Sequence, residues 1–134
     1  MTRLSRRAFA LTAAATGATI AMPHLAFGAT ARIAVVGGGF GGATAARYLK
    51  RLDKQLSVTL IEPNAKFITC PYSNLVLGGL KTMDDISHGY DGLAKAGVRI
   101  VRASVQGIDL SSRRLSLSSG NAVQYDKLVL SPGI

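Results

Sequence analysis

Five glycines among the six residues Gly37-Gly38-Gly39-Phe40-Gly41-Gly42, set directly behind a β-rich run, constrain this chain more than any other feature. The run Ala31-Arg32-Ile33-Ala34-Val35-Val36 stops at them, and counted from Gly37 the pattern is GxGxxG, with glycines at 37, 39 and 42. Each has a separate physical task. Gly37 permits the tight turn out of the strand, Gly39 lets the backbone approach a pyrophosphate, and Gly42 lets the next helix pack closely on the sheet. Small residues Ala43, Ala45 and Ala46 continue that face, and the spacing predicts a helix from about Gly41 to Leu52 whose positive end meets the phosphates. Ser57-Val58-Thr59-Leu60-Ile61-Glu62 then reads as a β-branched strand ending in an acid, 25 positions after Gly37, where a carboxylate accepts hydrogen bonds from ribose hydroxyls. A glycine-rich turn alone can supply GxGxxG without any ligand. Strand, glycines, helix, second strand and terminal acid in order within about 30 residues point instead to a βαβ dinucleotide-binding unit.

The first residues read Met1-Thr2-Arg3-Leu4-Ser5-Arg6-Arg7-Ala8-Phe9-Ala10, and the run from Ala8 to Met22 holds no charge. A basic start, an apolar stretch and the small-residue site Ala26-Phe27-Gly28 describe a cleavable export signal. Ser5-Arg6-Arg7 with Phe9 matches its twin-arginine form, so residues 1–28 are expected to be removed and the mature protein to begin near Ala29 in a bacterial periplasm. A membrane anchor is the competing reading, but about 15 uncharged residues fall short of the roughly 20 that a spanning helix needs. The leader also bears on the cofactor. Nicotinamide nucleotides diffuse away from an exported protein, whereas a tightly held flavin travels with it. FAD is therefore the expected dinucleotide.

The formal charge is +9, but Arg3, Arg6 and Arg7 sit in the leader, leaving 13 Lys and Arg against seven acids, or +6. These charges are scattered, with no run longer than Lys50-Arg51 or Arg113-Arg114 and no interleaved aromatic stripe, which argues against nucleic acid. A mild positive field suits an acidic protein partner or an anionic substrate. Cys70 is the single cysteine, so no intrachain disulfide can form.

Farther along, Asp84 to Ala96 is predicted as a helix with Ile86, Tyr90, Leu93 and Ala94 on one face, and Val98 to Arg102 as a third strand of a parallel sheet. Val105–Asp109, Arg114–Ser118 and Ala122–Tyr125 read as an antiparallel meander laid on that sheet, and Lys127 to Ser131 as another buried strand, ended by Pro132-Gly133. Asp84, Asp85 and Asp91 read as solvated helix charges, and His88 as a helix-surface or packing residue. The expected class is α/β: a Rossmann-like FAD-binding domain over residues 29–134, with a parallel sheet, a βαβ unit and an antiparallel β-meander. Because Ile134 follows directly on a strand, where a doubly wound fold would continue, a truncated domain is expected.

From Arg32 onward the sequence resembles the flavoprotein subunit of flavocytochrome c sulfide dehydrogenase. The resemblance rests on Val35-Val36-Gly37-Gly38-Gly39 with Gly41-Gly42-Ala43-Thr44-Ala45-Ala46, on Val58-Thr59-Leu60-Ile61-Glu62-Pro63-Asn64, and on Thr69-Cys70 with Ser73-Asn74. His88-Gly89-Tyr90-Asp91-Gly92-Leu93, Gly107-Ile108-Asp109 and Tyr125-Asp126 extend it. By itself a lone cysteine reads as a small buried hydrophobe. The resemblance instead implies that Cys70 is the thiol that holds FAD covalently, through a thioether at the 8-methyl group of the isoalloxazine. The eight residues from Pro63 to Cys70 can span up to about 26 Å, enough to run from the ribose towards the ring. The cofactor-binding set expected is Gly37, Gly38, Gly39, Gly42, Glu62, Cys70, Val105 and Gly133.

The resemblance further implies a flavin-dependent oxidoreductase that takes electrons from sulfide or a related sulfur compound and passes them to a cytochrome c subunit or soluble cytochrome c. The family's redox-active cysteine pair, second dinucleotide-like domain and C-terminal part have no counterpart in these 134 residues. This fragment is therefore expected to be inactive alone, and it names no catalytic residue. A quinone-reducing relative and a truncated, non-catalytic nucleotide-binding product are the competing functions. No metal-ligand spacing, P-loop or nucleophile elbow is present, and no membrane span is expected in the mature chain.

Overall fold

The computed structural model describes residues 30–133, so the leader expected at residues 1–28 lies outside the described part. Strand β1 (Arg32–Val36) leads through the glycine turn into helix α1 (Phe40–Leu52), which returns the chain to β2 (Ser57–Ile61), parallel to β1 with Ile33 beside Val58 and Val35 beside Leu60. Strand β5 (Arg99–Val101) extends the sheet beyond β2, and β9 (Lys127–Leu130) extends it beyond β1. The order is β5-β2-β1-β9, all parallel.

Successive side chains on a strand face opposite ways, so one hydrophobic run can feed two cores. Ile33 and Val35 of β1, with Val58 and Leu60 of β2, pack against Ala46 of α1 and Leu93 of α3 (Asp91–Lys95). Ala34 and Ile61 face the other way, onto Leu115, Leu117, Val123 and Tyr125. Those residues belong to the meander and its exit: β6 (Val105–Asp109), β7 (Arg114–Leu117) and β8 (Ala122–Gln124), paired antiparallel in that order. The result is three layers, helices on sheet on meander. Burial on both faces explains why β1 and β2 read as nearly unbroken apolar runs.

Helix α1 ends with Lys50 and Arg51 in its last turn, where cations oppose the negative end of the dipole. The Lys50 ammonium donates to the carbonyls of Lys54 and Leu56, closing the turn into β2. At the entry of β9, Asp126 accepts from the backbone N–H of Arg32 at 2.7 Å and pairs with its guanidinium at 2.9 Å, which ties the returning meander to the start of β1.

The helix predicted over Asp84 to Ala96 does not form. Residues Asp84–Ile86 make one 3-10 turn, β4 (Ser87–Gly89) follows, and only Asp91–Lys95 is helical. The apolar spacing is real, since Ile86, Tyr90 and Leu93 are all buried, but three elements share it. Gly89 and Gly92 weaken a continuous helix, and Ser87–Gly89 finds backbone partners in β3 (Lys66–Ile68), with Phe67 opposite His88. Pairing across 20 residues of sequence thus overrides a local pattern. The β3–β4 hairpin and the short helix α2 (Ser73–Leu77) had no counterpart in the sequence reading.

Candidate dinucleotide site

The glycines of the turn separate into those the protein needs and one it does not. Gly37 sits at φ +95°, and a Cβ there would stand 1.9 Å from the Ser131 carbonyl oxygen. A Cβ on Gly42 would stand 1.9 Å from the Gly37 oxygen, and one on Gly38 would stand 2.3 Å from the Tyr90 hydroxyl. Gly39 is different. Its Cβ would meet only Phe67, at an ordinary 3.6 Å, so nothing within the fold demands glycine there.

Gly39 is also the N-cap of α1, with no side-chain cap and no acid in the first turn. The first amides of a helix lack internal partners and concentrate positive potential, so this end offers donors to an anion. It opens on a cleft of about 590 Å³ whose lining includes Gly39, Glu62, Asn64, Phe67, Ser131 and Gly133. Gly133, at φ +80°, has nothing within 4 Å of a would-be Cβ, so its backbone conformation rather than space selects glycine.

Glu62, half-buried at the end of β2, has both oxygens engaged. Oε2 accepts from the Gly38 amide at 2.8 Å, and Oε1 accepts from the Asn64 amide at 2.9 Å and its side-chain amide at 3.0 Å. Oε1 thus has both lone pairs engaged, while Oε2 keeps one further acceptor site for a ribose hydroxyl. The carboxylate is thereby fixed before any ligand arrives.

Sequence reasoning missed Tyr90 as a site residue, because the supposed helix placed it among packing residues. The structure buries it beside the glycine turn, where its hydroxyl donates to the Gly38 carbonyl at 3.1 Å. The Arg102 guanidinium lies 4.9 Å from its ring centre and donates to the carbonyls of Asn64 and Ala65. Burial pushes the Tyr90 phenol above its ordinary pKa; the Glu62 carboxylate adds to this and Arg102 opposes it. Tyr90 is therefore a neutral donor at physiological pH.

The remaining expected residues lie farther off. Cys70 is exposed, not the small buried hydrophobe that a lone cysteine suggests. It follows β3 in a turn whose Tyr72 takes the left-handed φ of 69°, and it lines an apolar groove of about 390 Å³ with Ile68, Val76 and Leu77. Ile68 lines both groove and cleft, so the thiol continues the line from Glu62 along β3. Val105 is half-buried and packs on the meander core, outside the cleft lining. His88 is exposed on β4 rather than on a helix. Among the described residues there is no cluster that could hold a metal ion and no helix long and apolar enough to cross a membrane.

Residues 31–134 match the family model described as pyridine nucleotide-disulphide oxidoreductase. The chain belongs to that family. Its members are flavin-dependent oxidoreductases, and the Rossmann-like α/β expectation stands. The resemblance read from the sequence also stands: the chain is 62% identical over 47 residues to the flavoprotein chain of sulfide dehydrogenase (flavocytochrome c) from Chlorobaculum thiosulfatiphilum, covering 35% of this chain and 98% of that one. It is 31% identical over 103 residues to the sulfide-quinone reductase of Aquifex aeolicus, covering 75% of this chain but only 24% of the relative. The solved sulfide:quinone oxidoreductase structure from Aquifex aeolicus superposes with a TM-score of 0.73 at 29% identity, over 78% of this chain and 24% of that one. FAD fits the site: the unfilled Gly39 side, the uncapped helix and the oriented Glu62 present complementary groups for pyrophosphate and ribose in one cleft.

Proposed function

We propose that the chain is the FAD-binding part of an exported sulfide dehydrogenase that passes electrons from sulfide through flavin to a cytochrome c. The observation that carries this reading is the exposed Cys70 thiol, beyond β3 on the line that starts at Glu62. The α1 N-terminus and the bare Gly39 backbone hold the pyrophosphate, and Glu62 holds the adenosine ribose. Cys70 Sγ would hold the flavin through a thioether to its 8-methyl carbon, keeping the cofactor with the protein after export. Bound in this way, FAD supplies an acceptor for the electron pair of sulfide that can be emptied one electron at a time.

The test uses the full-length, flavin-replete protein. The tryptic peptide holding Cys70 is expected to carry the mass of the flavin, and sulfide is expected to drive cytochrome c reduction. An unmodified Cys70 would remove the covalent assignment. Reduction of a quinone in place of cytochrome c would favour the second reading, which the similarity to sulfide-quinone reductase supports. Export rests on Arg6-Arg7 with the site ending at Gly28. Replacing both arginines by Lys should hold the precursor in the cytoplasm, and normal export of that variant would sink the twin-arginine assignment.

A further inference from the structure

We infer that Tyr90 is a positioning residue that aims the Gly39 amide at the dinucleotide pyrophosphate; the inference rests on the flavin reading above. The Gly38 carbonyl and the Gly39 N–H belong to one peptide unit. That unit is planar and trans, so its oxygen and its N–H point in opposite directions. Fixing the oxygen therefore fixes the amide. Tyr90 donates to that oxygen at 3.1 Å from a buried site. The preceding peptide is fixed separately, since the Gly38 N–H is taken by Glu62 at 2.8 Å. Two consecutive peptide planes are thus set by two side chains, one from the end of β2 and one from the N-cap of α3.

Tyr90 is itself held. Arg102, just past β5, stacks on its ring at 4.9 Å and grips the carbonyls of Asn64 and Ala65, which follow Glu62. The contact is close enough to dictate the residue at 38, where any Cβ would overlap the phenol at 2.3 Å. The arrangement leaves the Gly39 amide turned away from Tyr90, at the start of a helix that has no cap of its own.

The phenol should matter for ligands with phosphates and not for those without. The test is Tyr90→Phe in the full-length protein carrying Cys70→Ser, so that flavin can be removed, with ADP and adenosine titrated into the apoprotein. Tyr90→Phe keeps the ring under Arg102 and removes only the donor. ADP is expected to bind about fivefold more weakly, the scale of one neutral hydrogen bond, with adenosine unchanged. Equal weakening of both ligands, or none, would overturn the positioning role. Arg102→Gln provides a second variant: it should loosen the ring and weaken ADP in the same selective way, and an equal loss for adenosine would count against the inference. If the parent bound neither ligand, the flavin reading would fail and take this inference with it. Binding of ADP by the parent with an indifferent Tyr90→Phe would overturn the inference alone.

Discussion

Residues 32–62 and residues 63–90 are of similar length and adjoin in sequence, yet they are held in different ways. The first stretch places Ile33, Val35, Val58 and Leu60 in one core and Ala34 and Ile61 in another. The second buries Thr69, Ile86 and Tyr90 but leaves Ile68, Tyr72, Leu77, Leu80 and Met83 exposed. Its helix α2 has no buried residue. The first stretch is specified by contacts within this chain; the second leaves apolar side chains that no other described residue covers. The cleft runs along the border between the two, with a rigid wall at Glu62 and a lightly packed one from Lys66 to Ile68.

The sharpest test of that rigidity lies within the glycine turn. Gly42→Ala is expected to leave no folded protein, because the new Cβ would overlap the Gly37 carbonyl oxygen, a backbone atom that cannot swing aside. Gly39→Ala should fold normally, since its Cβ meets Phe67 at 3.6 Å and its φ of -66° suits alanine. It should weaken FAD by about tenfold or more, or about 1.4 kcal/mol. With Cys70→Ser in the background so that flavin can be removed, thermal unfolding of the apoprotein and flavin titration read the two effects apart. A Gly39→Ala protein with parental flavin affinity would move the phosphate site elsewhere.

The next comparison sets one leucine from each stretch against the other. Leu60→Ala empties a fully buried position between β1, α1 and α3 and should cost about 2–5 kcal/mol in urea unfolding. Leu77→Ala, at a residue 89% exposed, should stay within about 0.5 kcal/mol. A comparable loss at Leu77 would mean that the second stretch packs more tightly than its exposure indicates.

What was legible in the sequence follows the same division. The βαβ unit could be read because each residue answered to a local rule: β-branched residues on buried strands, glycine at a positive φ, an acid at a strand end. The meander was legible from alternation, as in Leu115 and Leu117, and from Gly120 at φ +77° in the β7–β8 turn. Between Pro63 and Tyr90 the controlling interactions are not local. Ser87–Gly89 is a strand only because Lys66–Ile68 lies beside it. Tyr90 reaches Gly38 across 52 positions, and no periodicity announces such a contact. Cys70 was picked out by resemblance alone, and only the fold shows that it is exposed.

The smallest effect concerns two ion pairs among the described residues. Arg32–Asp126 ties β9 to β1, with a backbone amide and a guanidinium both donating to the carboxylate. The Arg32 side chain and its amide hold Asp126 down to about 2, against an unfolded carboxyl near 3.9. A depressed carboxyl stabilises the fold fully above its unfolded pKa and loses that contribution as pH falls through the folded one. Asp126→Asn should therefore lower the urea midpoint at pH 7, and the gap from the parent should close between about pH 4 and pH 2. Lys66–Asp84, in the second stretch, is a longer contact of 3.5 Å with side chains 61% and 91% exposed. Screened pairs of this kind contribute little, so Asp84→Asn should leave the midpoint unchanged at both ends of the range. A pH-dependent loss at Asp84 matching that at Asp126 would show that residues 63–90 are anchored by charge where they lack a core, and the contrast between the two stretches would then be one of interaction type rather than of strength.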